Sequence, residues 1–181
     1  MIIKENLSSG EGLVQLIAAV LAASVLSWTP EVVQVDNVEP ATMLALIHME
    51  STGDEGSRRA GSKYHGLLQI SQPYMDDALE YAGQPADTVD SLMGDGRYSL
   101  QIFSWHMQRC QSVHNWNPRH IALVHKAGPV GAQAILDRVG SGVTLIDAAE
   151  ASSTPTAGEF MRRFDSFRQI YNSAITSNSE G

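Results

Sequence analysis

The sequence predicts a mainly helical fold. Apolar residues recur at three- and four-residue spacing in several stretches, which is the period of a half-buried α-helix. Proline or a capping side chain stands at the start of many of these stretches, and glycine follows their ends. With 43% hydrophobic and 18% charged residues, the chain has the composition of a globular protein rather than a disordered one.

The chain begins with an apolar stretch, Leu13–Leu26, whose role the sequence leaves open. It is too short to span a bilayer comfortably, and it lacks the positive leading region of a signal peptide, so no firm membrane span is expected. A core helix is favoured over a signal or anchor segment and over a partner-binding helix. With the weakly alternating link Glu31–Val38 it makes up a first region, 1–39, ahead of a domain at 40–181.

From residue 40 onward, start and stop signals define the order of the helices. Proline is favoured in the first turn of a helix, and glycine is favoured just beyond the last turn. The expected helices are Pro40–Glu50, Pro73–Ala82, Arg97–Gln111, Pro118–Lys126, Ala132–Val139, Leu145–Ala151 and a last one that starts at Thr156 or Gly158. The polar tail Ser173–Gly181 is expected to fray.

The segments between these helices read as loops, with one candidate for β-structure. Thr52–Tyr64 is rich in Gly, Ser and charge, and it has no periodicity. Asp87–Gly96 is rich in turn-forming residues. Gly66–Ile70 is too short for a helix, and we interpret it as an extended piece of a small β-hairpin.

Glu50 is the candidate for chemistry. At helical spacing it shares one face with Met43, Leu44 and Ile47, which bury the helix, so the carboxylate emerges at the carboxyl end. Burial disfavours the charged form, and the negative pole of the helix dipole does the same, so we expect the pKa of Glu50 to be raised. A carboxyl group that stays protonated near working pH can act as a general acid.

Three motifs around this carboxylate resemble, in order, those of the soluble lytic transglycosylases. Glu50-Ser51 matches their Glu-Ser at the end of a helix, and Gly66–Ile70 matches Gly-Leu-Met-Gln followed by Ile or Leu. Ala127-Gly128-Pro129 matches the end of Ala-Tyr-Asn-Ala-Gly-Pro. The resemblance covers about half of the chain. It implies a lysozyme-like helical domain that cleaves the bond between N-acetylmuramic acid and N-acetylglucosamine in peptidoglycan.

The resemblance also implies a mechanism with one glutamate. In that family the glutamate protonates the departing oxygen and then takes a proton from the C6 hydroxyl of N-acetylmuramic acid, which closes a 1,6-anhydro ring. Most glycosidases need a second carboxylate as base or nucleophile. Asp54 and Glu55 follow Glu50 closely, but they lie in the Gly/Ser-rich loop, and we interpret them as solvated charges.

The chain departs from the family pattern where Tyr-Asn is replaced by His125-Lys126. In the family the tyrosine hydroxyl helps to hold the glutamate, and a ring nitrogen of His125 can donate a hydrogen bond in its place. A cation close to Glu50 lowers the pKa of a carboxyl group and opposes proton donation. We therefore expect that Lys126 points away, binds substrate or reduces activity.

The remaining candidates for substrate binding come from the residues around the motifs. The amide of Gln69 both donates and accepts hydrogen bonds, which suits sugar hydroxyls and acetamido groups. Aromatic or polar side chains near the motifs are further candidates for the saccharide groove. These are Ser51, Tyr64, His65 and Tyr74, together with His125 and Lys126.

The net charge and the side chains available as metal ligands exclude some classes of binding partner. A net charge of −8 and a pI of about 5.1 argue against nucleic acid, because phosphate binding needs clustered Lys and Arg. The six histidines follow no metal-ligand spacing, so neither a metal nor another cofactor is expected. Cys110 is the only cysteine, so an intrachain disulfide is impossible, and we interpret it as a small buried apolar residue.

Two other functions stay open. A lysozyme-type hydrolase would share the fold and Glu50 but use water. A non-catalytic domain would bind glycan or serve as a structural part of a virion or secretion apparatus. The expected location is a virion or the bacterial periplasm and cell envelope, with peptidoglycan strands as the main partner and phage or secretion proteins as further ones.

Overall fold

The structure, a computed structural model, describes residues 33–58 and 61–179. It is mainly helical, with one small antiparallel hairpin, as predicted. The helices are α1 Pro40–Ser51, α2 Gln72–Ala82, α3 Gly96–Arg109, α4 Gln111–His114, α5 Pro118–Val139, α6 Leu145–Glu150 and α7 Ala157–Ser179; the strands are β1 Tyr64–His65 and β2 Ile70–Ser71, and Val89–Leu92 forms a 3₁₀ turn.

The predicted N-terminal helix, Leu13–Leu26, lies outside the described residues, as does the beginning of the link that follows it. Of that link, Val33, Val35 and Val38 are buried, and the last two form an isolated β-bridge. Within the part of the chain that the structure describes, no helix combines the length and the apolar character needed to cross a membrane.

Helix α1 lies at the centre of the fold. Every residue from Ala41 to His48 is buried, so this helix is surrounded on all sides, as is typical of a core helix. Helix α7 packs along it: the ring of His48 lies 4.3 Å from that of Phe167, and the hydroxyl of Tyr171 lies 3.3 Å from His48 Nδ1. The carboxyl end of α1 therefore holds a fixed position, and Glu50 stands in its last turn.

Residues that start or end helices predicted the boundaries of two helices correctly. Helix α2 has Pro73 in its first turn and ends before Gly83, whose φ of 63° is left-handed, as a C-terminal glycine allows. The side chain of Asn117 caps α5 by accepting hydrogen bonds from the backbone N–H groups of Arg119 and His120. Both were predicted.

Three helix boundaries differ from the prediction. The two helices expected on either side of Gly128-Pro129 are separated at Gly128, whose φ of 69° and ψ of 168° are not helical, but they follow each other directly, so the second begins before Ala132. Helix α3 ends at Arg109, and α4 is a separate short helix after Cys110. Helix α7 continues to Ser179 through the tail that was expected to fray, and Ile175 packs against the core from that tail.

The predicted hairpin is present, but its segments differ. Tyr64 pairs with Ser71 and His65 with Ile70, so Gly66–Gln69 is the turn rather than an extended arm. The reason is that Leu67 and Leu68 are fully buried by turning inward. Gly66 begins the turn at φ 72°, and a Cβ there would lie only 2.9 Å from the carbonyl oxygen of Leu92.

Candidate active site

Glu50 lies at one end of a groove in the surface. Its side chain keeps 20% of its area exposed, so it is sheltered but reachable. The pocket around it has a volume of about 200 Å³ and is lined by Glu50, Ser62, Tyr64, Gln69, His125 and Lys126. The three motifs of the sequence therefore meet at one place, since they supply residues from α1, the hairpin turn and α5.

A second pocket of about 390 Å³ continues the first. The two share Tyr64, Gln69, His125 and Lys126. The second pocket is further lined by Ser71, Pro73, Tyr74, Asp77, His106, Ala127, Gly128 and Pro129. Together they form one continuous groove.

Six of the eight predicted site residues line this groove, and Ser51 and His65 do not. The Ser51 hydroxyl donates to the carbonyl of Ile47 and accepts from the N–H of Gly53, so it closes the end of α1. His65 is buried, and its Nδ1 lies 3.1 Å from the carboxylate of Asp90. Both side chains therefore stabilise the structure around the groove and do not line it.

His125 lies beside Glu50 in the groove. Its Nε2 lies 3.7 Å from Glu50 Oε1, and only 5% of its side chain is exposed. Burial lowers the pKa of His125 to about 3, and the charges of His106 and Lys126 act in the same direction. The imidazole is therefore neutral near pH 7, and the backbone carbonyl of Leu68 is a partner for its single N–H.

The distance of 3.7 Å exceeds that of a hydrogen bond, although such contacts often tighten only when substrate binds. A histidine with a pKa of about 3 is also a poor base. The pair is suited to orient a carboxyl group, and it is not suited to activate water.

Lys126 points toward α7. Its Nζ lies 5.3 Å from the centre of the Phe160 ring, at cation–π distance. The close ion pairs among the described residues do not include Lys126. Its side chain nevertheless lines both pockets, so it contributes positive charge to the groove.

Gln69 fixes the groove wall. Its Nε2 donates to the carbonyls of Ser57 and Gly66, each at 2.9 Å, which ties the loop after α1 to the hairpin turn. Both amide hydrogens are thereby used within the protein. The amide oxygen remains the atom of Gln69 with which a sugar can bond.

Asp54 and Glu55 do not line the groove. Asp54 accepts a hydrogen bond from the N–H of Gly56 at 2.9 Å, within its own loop. Glu55 accepts from the N–H of Gly96 at 3.2 Å and so stabilises the positive end of α3. The interpretation of Glu55 as a merely solvated charge was wrong, because it joins the loop to a helix.

A second group of titratable side chains, the Asp77–His106–Cys110 cluster, was missed. His106 Nδ1 lies 3.0 Å from Asp77 Oδ2, and His106 Nε2 lies 3.6 Å from Cys110 Sγ. Arg109 Nε lies 2.9 Å from the other oxygen of Asp77. His106 and Cys110 are one helical turn apart, which a sequence reveals, but Asp77 comes from another helix.

One carboxylate oxygen of Asp77, one ring nitrogen of His106 and the sulfur of Cys110 all lie within 4.8 Å of one another. Cys110 is only 4% exposed, and burial raises the pKa of its thiol to about 11. A nucleophile needs a thiolate and access to substrate, and this thiol has neither. Cys110 is the buried small residue that the sequence predicted.

Tyr74 connects the two histidines. Its ring stacks on His106 at 3.7 Å and meets His125 edge-on at 5.8 Å. Burial raises the pKa of Tyr74 well above its usual value, so the phenol stays neutral. Tyr74 therefore forms part of the groove floor and holds both imidazoles in place.

Comparison with protein-family models and with curated proteins finds no match for this chain in either set. The resemblance to lytic transglycosylases consequently depends on the three sequence motifs alone.

Proposed function

We propose that the protein is a peptidoglycan lytic transglycosylase that cleaves the β-1,4 bond between N-acetylmuramic acid and N-acetylglucosamine, with Glu50 as general acid and base. The observation that supports this most strongly is the position of Glu50. It ends a buried helix, keeps partial exposure, and faces a groove built from all three motifs.

The chemistry proceeds in two proton transfers. Protonated Glu50 gives its proton to the glycosidic oxygen, and the bond from that oxygen to C1 of the muramic acid breaks. The acetamido group of the same sugar stabilises the positive charge at C1. Glu50, now a carboxylate, takes the proton of the C6 hydroxyl as the C6 oxygen bonds to C1. The products are a 1,6-anhydro sugar and a free C4 hydroxyl, and no water is consumed.

The surrounding side chains have positioning roles in this proposal. His125 presents a neutral ring beside Glu50, which orients the carboxyl group without removing its proton. Tyr64 lies at the groove edge with its ring partly exposed, which suits contact with a sugar face. The oxygen of Gln69 accepts from an acetamido N–H or a hydroxyl group.

A hydrolase is the second candidate, and it requires a group that activates water. Among the described residues of the pocket around Glu50 there is no second carboxylate. Asp77 lines the adjoining pocket, but both of its oxygens contact cationic or imidazole partners. These observations favour the anhydro product. A non-catalytic glycan-binding or virion component is the third candidate, because the Tyr-Asn pair of the family is absent.

Digestion of purified murein separates the three candidates. The expected products are anhydromuropeptides, each lighter by one water than the hydrolysis product, as read by mass spectrometry. Glu50→Gln is expected to abolish their release, whereas Glu55→Gln, the matched change in the neighbouring loop, is expected to retain it. Reducing-end products would indicate the hydrolase. Binding without turnover in the unmodified protein would indicate the non-catalytic domain.

Action on peptidoglycan requires access to the cell wall. The proposed setting is therefore the periplasm and cell envelope, or a virion that opens the wall, with virion or secretion-apparatus proteins as further partners.

A further inference from the structure

Lys126 lines both pockets of the groove. Of the described residues that line them, it is the one lysine or arginine. The protein as a whole carries a net charge of −8, so it repels an anionic polymer at long range. Among the described side chains that line the groove, Lys126 is therefore the one whose positive charge can attract an anion.

Lys126 differs from five of the arginines in the kind of group that its charge contacts. Five arginines pair closely with carboxylates: Arg58 with Asp90, Arg109 with Asp77, Arg119 with Asp165, Arg162 with Glu150 and Arg168 with Glu39. Lys126 instead lies over the ring of Phe160. A cation–π contact uses the face of a ring and needs none of the three ammonium hydrogens as a directed bond, so these can serve an anion.

The position of Lys126 limits which anion it can meet. It directly follows His125, whose Nε2 is 3.7 Å from Glu50, so its side chain begins beside the reacting centre. Under the proposed function, that centre holds an N-acetylmuramic acid, which carries a lactyl group on C3. The lactyl carbonyl is a neutral amide when a stem peptide is attached, and it is a carboxylate when the peptide has been removed.

We infer that Lys126 is a specificity-determining residue that binds the free lactyl carboxylate, so that the groove prefers peptide-free glycan strands. This inference rests on the proposed function for the identity of the sugar. Bonds between an ammonium and a carboxylate in a sheltered groove typically change affinity by roughly tenfold to a hundredfold.

The test compares two muramic-acid oligosaccharides that differ only in the lactyl group, a free carboxylate in one and a primary amide in the other. Dissociation constants are measured with the Glu50→Gln variant, so that binding is observed without cleavage. We expect the carboxylate form to bind roughly tenfold to a hundredfold more tightly. Adding Lys126→Gln should reduce this ratio to about one, while Lys126→Arg should preserve most of it.

Lys63→Gln in the same background is the matched control, because Lys63 also stacks on an aromatic ring, that of Tyr64, but does not line either pocket. It should keep the ratio. Equal affinities for the two oligosaccharides, or a ratio that survives Lys126→Gln, would overturn the inference. A Lys126-dependent preference in a protein that releases no anhydro product would support the inference and reject the proposed function.

Discussion

Two carboxylate–imidazole pairs lie along the same groove, and their differences explain why only one is suited to chemistry. Glu50 meets His125 at 3.7 Å, and Asp77 meets His106 at 3.0 Å. Both imidazoles are buried, and burial lowers the pKa of His125 to about 3 and of His106 to about 4. Neither histidine is charged near neutral pH.

Position in the groove separates the two pairs. Arg109 contacts one oxygen of Asp77 while His106 contacts the other, so this carboxylate ties α2 to α3. Glu50 lines the smaller pocket, and 20% of its side chain is exposed there. The carboxylate of Asp77 therefore has a structural role, and we call its contacts with His106 and Arg109 the clamp. The carboxylate of Glu50 is the candidate acid.

The largest expected effect contrasts the two carboxylates directly. Glu50→Gln should lower kcat/KM on murein by roughly 10²–10⁴-fold, because it removes the proton donor. Asp77→Asn should lower it by less than about tenfold, because Asp77 takes no part in proton transfer. Release of soluble muropeptides measures both. Similar losses in the two variants would contradict the division of roles.

The next effect is a loss of folding stability at acid pH, to which His106 and His125 both contribute. Their folded pKa values lie below the unfolded value of 6.5, so below that pH the unfolded chain binds protons that the folded chain does not. Stability is fully present above about pH 6.5 and falls toward pH 4 for His106 and toward pH 3 for His125. Each contributes a slope of about 1.4 kcal/mol per pH unit.

Urea unfolding at about pH 7 and about pH 5 measures this loss. His106→Gln and His125→Gln should each lessen the difference between the two conditions. A free energy of unfolding that is the same at both pH values would show that the buried imidazoles are not kept neutral.

A smaller effect concerns the clamp. Asp77→Asn should lower the free energy of unfolding by about 1–3 kcal/mol, because it weakens charge-assisted bonds to Arg109 and His106 in a partly exposed position. Arg109→Gln should cost a similar amount, and the double variant should cost less than the sum. Strict additivity in urea unfolding would show that the two side chains are not coupled.

The smallest effect tests His125 as a positioning residue. His125→Phe should lower kcat by roughly tenfold with little change in KM, because the ring remains but its hydrogen-bonding nitrogen is lost. His125→Tyr should retain more activity, since a hydroxyl can replace the ring nitrogen as the group that hydrogen-bonds with Glu50. Equal rates for the two variants would leave His125 with a packing role alone.

Sequence reasoning succeeded where signals are local. Pro73 with Gly83, and Asn117 before its helix, mark boundaries through neighbouring residues, and the structure confirms them. It failed at Gly66–Ile70, which was interpreted as an extended arm because it is too short for a helix, whereas Leu67 and Leu68 turn inward and are buried in the core. The break at Gly128 was predicted, but the second helix begins earlier than the expected Ala132, because the sequence does not reveal how soon a helix resumes after a break.

The site shows the same division. Motif order predicted that Glu50, Gln69 and His125 lie together, and the structure brings them into one pocket. The side-chain directions of Ser51 and His65 could not be predicted, since tertiary packing decides them. The contact of Asp77 with His106 was also hidden, because it joins two helices through side chains that no motif links.

Cleavage of murein in water that carries a heavy oxygen isotope tests the central claim most directly. If Glu50 transfers the proton and the C6 hydroxyl closes the ring, the new ends are 1,6-anhydro sugars that carry no label from the solvent, and Glu50→Gln releases none of them. Labelled reducing ends in the products would show that water attacks instead, and they would contradict the proposed transglycosylase mechanism.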